Sequence, residues 1–90
     1  MTPRDKELVD KARYLSHVMA IGKNGVTEGS IKLLHRELEQ KHLVKVKLLN
    51  NYLHASGRNR HDVAEEVARL SGGRLVQLVG NVVVLYKPGK

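Results

Sequence analysis

The stretch Ile21-Gly22-Lys23-Asn24-Gly25-Val26-Thr27-Glu28 follows the apolar run Val18-Met19-Ala20-Ile21 and opens an amphipathic segment. It reads as the end of a strand, a tight glycine turn and the start of a helix. Glycine adopts positive φ freely, and its lack of a Cβ lets a ligand come close to the backbone. Thr27 is placed to cap the helix, and Glu28 suits the positive end of its dipole. Exposed backbone N–H groups, a helix start and Lys23 together favour a phosphate. The Gly-x-x-Gly pattern alone also fits an ordinary turn, so the flanking sequence has to decide between the two.

On the N-terminal side, Thr2-Pro3-Arg4-Asp5 is a helix start, with Thr2 as the cap and Pro3 in the first position. Leu8, Ala12 and Leu15 then recur at helical spacing, which predicts a helix over residues 3–15. Val18 to Ile21 is a short strand. On the C-terminal side, a second helix is expected from Thr27 to His42, with Ile31, Leu34 and Leu38 as its buried stripe. Lys32 and Arg36 share one of its faces. Like charges at that spacing repel, which an intervening anion or a neighbouring Glu would relieve.

Leu43 to Leu49 alternates as a strand. Val44, Val46 and Leu48 point one way, and Lys45 and Lys47 point the other. Residues 50–60 read as a polar connection carrying Gly57, Arg58 and Arg60. Asn59, with Asp62 three residues on, caps a third helix whose apolar side is Val63, Ala64, Val67, Ala68 and Leu70. Gly72-Gly73 ends it. Leu75–Val79 and Val82–Lys87, separated by Gly80-Asn81, form a hairpin. Val82 to Leu85 is apolar on both faces, so that strand should be covered on both sides. The order is α-β-α-β-α-β-β, an α/β sandwich on a mixed four-stranded sheet.

Ninety residues, 41% of them hydrophobic, suit one modest core, and residues 1–90 are expected to be a single domain. No apolar run approaches the ~18 residues of a membrane helix. Arg4, Asp5, Lys6 and Glu7 at the N-terminus do not resemble a signal peptide. Cysteine is absent, so disulfides and thiolate sites are excluded. The balance fits a cytoplasmic protein. A formal net charge of +7 points to a polyanionic partner. With no Phe or Trp and only Tyr14, Tyr52 and Tyr86, base stacking on a sheet platform is not expected. Backbone amides and basic side chains would have to make the contacts.

Signals for catalysis are lacking. The glycine turn has neither the spacing of a P-loop nor its trailing Lys-Ser/Thr. No Gly-x-Ser-x-Gly elbow occurs. The pairs His35/His42 and His54/His61 fall outside a His-Glu-x-x-His arrangement and lack further zinc ligands. No enzyme activity, cofactor, metal or small-molecule substrate is expected.

Three blocks carry a family resemblance. They are Ile21 to Gly29, Leu43 to Lys47, and Val76 to Gly80 with Leu85-Tyr86-Lys87-Pro88. In order and spacing they resemble the CRM domain (chloroplast RNA splicing and ribosome maturation) in its stand-alone, YhbY-like form. The resemblance implies the same element order, a fold similar to the C-terminal domain of translation initiation factor three, and RNA binding. Stand-alone bacterial members associate with precursors of the large ribosomal subunit, and multidomain plant members act in splicing. It also implies that Gly22, Lys23, Asn24 and Gly25 form the RNA-contacting loop. Two positions depart from the family pattern: Arg13 follows Ala12 where His is usual, and His17 stands where a proline is expected.

The expected function is therefore RNA binding in ribosome assembly by a monomer, with no membrane association. The glycine loop would clamp a phosphate, Lys32 and Arg36 would extend the track, and Lys45, Lys47, Arg58 and Arg60 are further candidates. The competing reading is an assembly factor whose basic face meets an acidic protein. A duplex-DNA binder is a third.

Overall fold

The computed structural model describes residues 3–15, 19–22 and 25–88. Its elements are α1 (Pro3–Ala12), β1 (Met19–Ile21), α2 (Glu28–Lys41), β2 (Leu43–Leu48), α3 (Asn50–Ser56), α4 (Arg60–Ser71), β3 (Arg74–Val79) and β4 (Val82–Tyr86). The strands form one mixed sheet in the order β1-β2-β4-β3. β1 runs parallel to β2, with Met19 opposite Val46 and Ile21 opposite Leu48. β2 and β3 each pair antiparallel with β4. β3 carries an irregularity between Leu75 and Gln77.

The doubly apolar β4 thus lies in the interior of the sheet. Val83 and Leu85 are fully buried in the main core with Val44, Val46 and Leu48 of β2. That core is closed by Leu34 and Leu38 of α2 and by Val63, Ala64, Val67 and Ala68 of α4. Val84 faces the other way and is also buried. Val9 and Ala12 of α1 line a cavity with Val82 and Val84, so α1 covers the opposite face. The expectation of a strand covered on both sides holds.

Local chemistry sets the helix ends. Thr27, with extended backbone, caps α2 by accepting the Ser30 N–H at 3.1 Å. His42 ends it in the left-handed region at φ 67°, uncommon outside glycine. Its Nδ1 bonds to the Lys87 carbonyl at 3.1 Å, and its own carbonyl accepts the Lys87 N–H at 2.8 Å. The two-way link holds that conformation. Asn59 caps α4 through the His61 N–H at 2.7 Å. Gly72 closes it at φ 81°.

The structure corrects several expectations. The helix predicted over 3–15 stops at Ala12. Tyr14 and Leu15 donate to the third residue back rather than the fourth, so the last turn tightens and unwinds. Leu15 is consequently 39% exposed, while Val9 joins Leu8 and Ala12 in burial. The Thr2 cap and Val18 lie outside the described residues. Ile31 is only half-buried. Leu70 is 44% exposed rather than buried. The last turn of α4 buries Ser71 instead, whose Oγ donates to the Ala68 carbonyl at 3.2 Å. Small residues there allow α4 to approach α2, and His35 reaches across with Nδ1 3.1 Å from the Ser71 carbonyl.

The largest correction is α3, in the segment read as a polar connection. Tyr52 and Leu53 pack half-buried against the core, and Gly57 ends the helix at φ 67°. A two-turn helix with two adjacent anchors shows no 3.6-residue periodicity.

Two measurements test this description. Leu85→Ala should lower the unfolding free energy by about 2–5 kcal/mol, as large-to-small changes in a packed core do, whereas Leu70→Ala should change it by no more than about 0.5 kcal/mol. Urea denaturation reads both. Glu39 pairs with Lys87, whose hydrogen bond and charge hold the carboxyl below its ordinary range, helped by the charges of His35 and His42. A carboxyl lowered in the folded state stabilises the fold above its unfolded pKa and loses that contribution as pH falls through the folded value. An NMR titration should show Glu39 titrating below an ordinary glutamate, and Lys87→Ala should move it back up.

Candidate nucleic-acid interface

The topology gathers the candidate residues at one end of the sheet. β1 and β2 are parallel, so the turn after Ile21 and the start of α3 after Leu48 leave the same end. The β3–β4 turn arrives there too, because Val82 pairs with Lys47. Ligand sites of open α/β sheets lie at such carboxyl ends.

The glycine turn closes by a hydrogen bond from the Gly25 N–H to the Gly22 carbonyl at 2.7 Å. Its central residues, Lys23 and Asn24, lie outside the described residues. Both glycines rest on α3 and its leading residue. A Cβ on Gly22 would sit 2.5 Å from Leu49 Cδ1. A Cβ on Gly25 would sit 2.7 Å from Tyr52 Cε1, and Gly25 has φ +67°. The space left by the missing side chains is thus filled by the protein itself. The Leu49 N–H donates to the Ile21 carbonyl at 2.8 Å, tying α3 to the strand that leads into the turn.

Tyr52 links this turn to a cation. Its hydroxyl lies 3.3 Å from Arg58 Nη1, which donates to it. Arg58 is also paired with Glu66 at 2.5 Å. These contacts, the Glu66 hydrogen bond foremost, raise the guanidinium pKa still further. Arg58, a further candidate in a segment read as a loop, is therefore a side chain held through Tyr52 beside the glycine turn. Arg60 begins α4 at the same end and is exposed.

Other candidates are placed differently. Lys32, in the first turns of α2, pairs with Glu28 at 3.2 Å, so a Glu neighbour relieves its repulsion with Arg36. Arg36 is exposed one turn further from the glycine turn. Lys47 is exposed near the end of β2 on the α1 side of the sheet. Lys45, two residues back, donates from Nζ to the Leu15 carbonyl at 3.1 Å and lines the cavity beneath α1. Among the described residues, Arg36, Lys47 and Arg60 make no ion pair. The structure thus links Gly25 to Arg58 through Tyr52, places Arg60 beside Arg58, and sets Lys45 apart.

The tyrosines do not form a platform. Tyr14 follows α1 and is 90% exposed, Tyr52 lies under the glycine turn, and Tyr86 sits on β4 with Arg74 6.0 Å above its ring. Among the described residues no group of three His, Asp or Glu side chains is placed to hold a metal ion. Tyr52 escaped the sequence reading. Its only signal there is its place between the predicted strand and the glycine that ends α3.

The fold matches a solution structure of SAV1595 from Staphylococcus aureus, described as a candidate RNA-binding protein. The TM-score is 0.77 at 29% identity, covering 96% of this chain and 85% of that one. The chain is thus a small α/β protein in which a glycine turn joins the first strand to the second helix. The chain belongs to the CRS1 / YhbY (CRM) domain family, whose model matches residues 2–87. It is 36% identical to the probable RNA-binding protein YqeI of Bacillus subtilis, across all of this chain and 91% of that one. It is 28% identical to an RNA-binding protein of Haemophilus influenzae, across 99% of this chain and 86% of that one.

The seating of the turn is testable. Gly25→Ala should destabilise the protein by at least about 1–2 kcal/mol, the cost of a left-handed non-glycine residue. Combining it with Tyr52→Ala should recover part of the loss, because the steric share disappears. Strictly additive urea-denaturation energies in the four-protein cycle would rule out the contact.

Proposed function

We propose that this chain is an RNA-binding protein that contacts ribosomal RNA or its precursor during assembly of the large ribosomal subunit. The observation that carries the reading is the Gly22–Gly25 turn, packed against α3 and running directly into the capped start of α2. Packing from beneath seats Gly22 and Gly25, and backbone N–H groups of such a turn suit a phosphate. Lys23 adds its charge to those of Arg58, Arg60 and Lys32. Family membership, the names of the relatives and the +7 charge support the same conclusion. With its tyrosines dispersed, selectivity comes from RNA shape and from polar contacts rather than from an aromatic platform. The role is binding, without catalysis or a cofactor, by a monomer in the cytoplasm.

The test is binding to structured ribosomal RNA fragments and matched duplex DNA across a salt series, with Lys23→Ala beside the wild type. RNA should be preferred. The logarithm of the binding constant should fall with that of salt by roughly 0.7 per single-strand phosphate contacted, and Lys23→Ala should make the slope shallower by about one contact. Gly25→Asp is a poor probe, since the left-handed backbone and Tyr52 penalise any side chain there. Equal, weak binding to RNA and DNA that Lys23→Ala leaves unchanged would reject the reading and favour an acidic protein partner.

A further inference from the structure

Beside the glycine turn lies a polar depression of about 370 Å³, between α3, the start of α4 and the β3–β4 turn. Leu53, His54, Arg58, Arg60, Asn50 and Asn81 line it. Two asparagines from distant parts of the chain meet there, with Asn81 Nδ2 donating to Asn50 Oδ1 at 2.5 Å. The Asn81 carbonyl accepts the Leu48 N–H at 2.7 Å, which pins the turn to the end of β2.

A side-chain amide has one carbonyl oxygen and two N–H hydrogens. The bond between these two amides leaves Asn50 Nδ2 as a donor and Asn81 Oδ1 as an acceptor. Reversing both amides exchanges the roles and leaves the same pair. That leaves a donor on one amide and an acceptor on the other, the two kinds of group with which a nucleobase edge pairs. Arg58 lines the depression with its guanidinium held by Glu66 and Tyr52, and bases stack on such planes. Arg60 supplies a cation for the adjoining phosphate.

We propose that this depression is a base-recognition subsite for one unpaired RNA nucleotide, read by Asn50 and Asn81. The inference rests on the RNA-binding reading above. It adds a second element to it: the glycine turn holds the backbone, and the amide pair selects a base. The Tyr52–Arg58 contact makes the two surfaces continuous. An acidic peptide would meet the cations and bond to the amides through its backbone, but its Asp and Glu side chains bring no planar base to stack on the Arg58 guanidinium.

The experiment measures affinity for equal-length oligo(A), oligo(C), oligo(G) and oligo(U) RNA by fluorescence anisotropy at several salt concentrations. The proteins are wild type, Asn50→Ala, Asn81→Ala and Lys23→Ala. The wild type should prefer one base. Each asparagine variant should bind that oligomer about 5- to 100-fold more weakly, with an unchanged salt slope and less effect on the other three. Lys23→Ala should weaken all four alike. A wild type without base preference, or asparagine variants that keep it, would overturn the subsite; loss of binding in Lys23→Ala would leave the RNA reading standing. A wild type that binds none of the RNAs, structured ribosomal fragments included, would overturn both.

Discussion

Every other placement in this fold follows from the need to bury β4 on both faces. Val83 and Leu85 project into the main core, and Val84 projects the opposite way into a second layer. Leaving either face in water would cost roughly 1.5–3 kcal/mol per large apolar side chain. β4 must therefore lie between two other strands, with helices above and below. β2 takes one flank and β3 the other. α2 and α4 cover the face where the larger cluster collects, and α1 covers the reverse. Because β4 runs antiparallel to β2 and begins opposite Lys47, the hairpin turn ends up beside the carboxyl ends of β1 and β2. The candidate surface is assembled by that arrangement.

At that surface the two glycines have a dual significance. Their immediate physical cause is internal: Leu49 and Tyr52 occupy the volume that side chains would need. The same contacts seat the two ends of the turn, Gly22 and Gly25, on α3 and its leading residue. In the proposed reading, packing and binding would be compatible uses of the same residues. The charges around the turn are also not equivalent. Lys32 and Arg58 are paired with Glu28 and Glu66, whereas Arg60 and Lys47 make no ion pair among the described residues. Paired cations hold position, and unpaired ones contribute more of the long-range attraction for a polyanion. Net charge alone conceals that difference.

What the sequence by itself determined was whatever depends on neighbours a few residues apart. Thr27 with Ser30, the alternation of β2, Asn59 before α4, and Gly72 behind it are all local, and each matches the structure. The glycine turn was legible for the same reason, since its hydrogen bond spans three residues. Tertiary structure alone decided the long-range matters. It placed β4 inside β3, left Leu15 and Leu70 exposed where helical periodicity had put them in the core, and held α3 by two adjacent anchors. It also set Tyr52 under Gly25, occupied Lys45 with the Leu15 carbonyl, and brought Asn81 to Asn50. The physical reason is that side-chain periodicity fixes which face of an element is apolar. What that face meets, and whether the core extends to its ends, is set by how all the elements together exclude water.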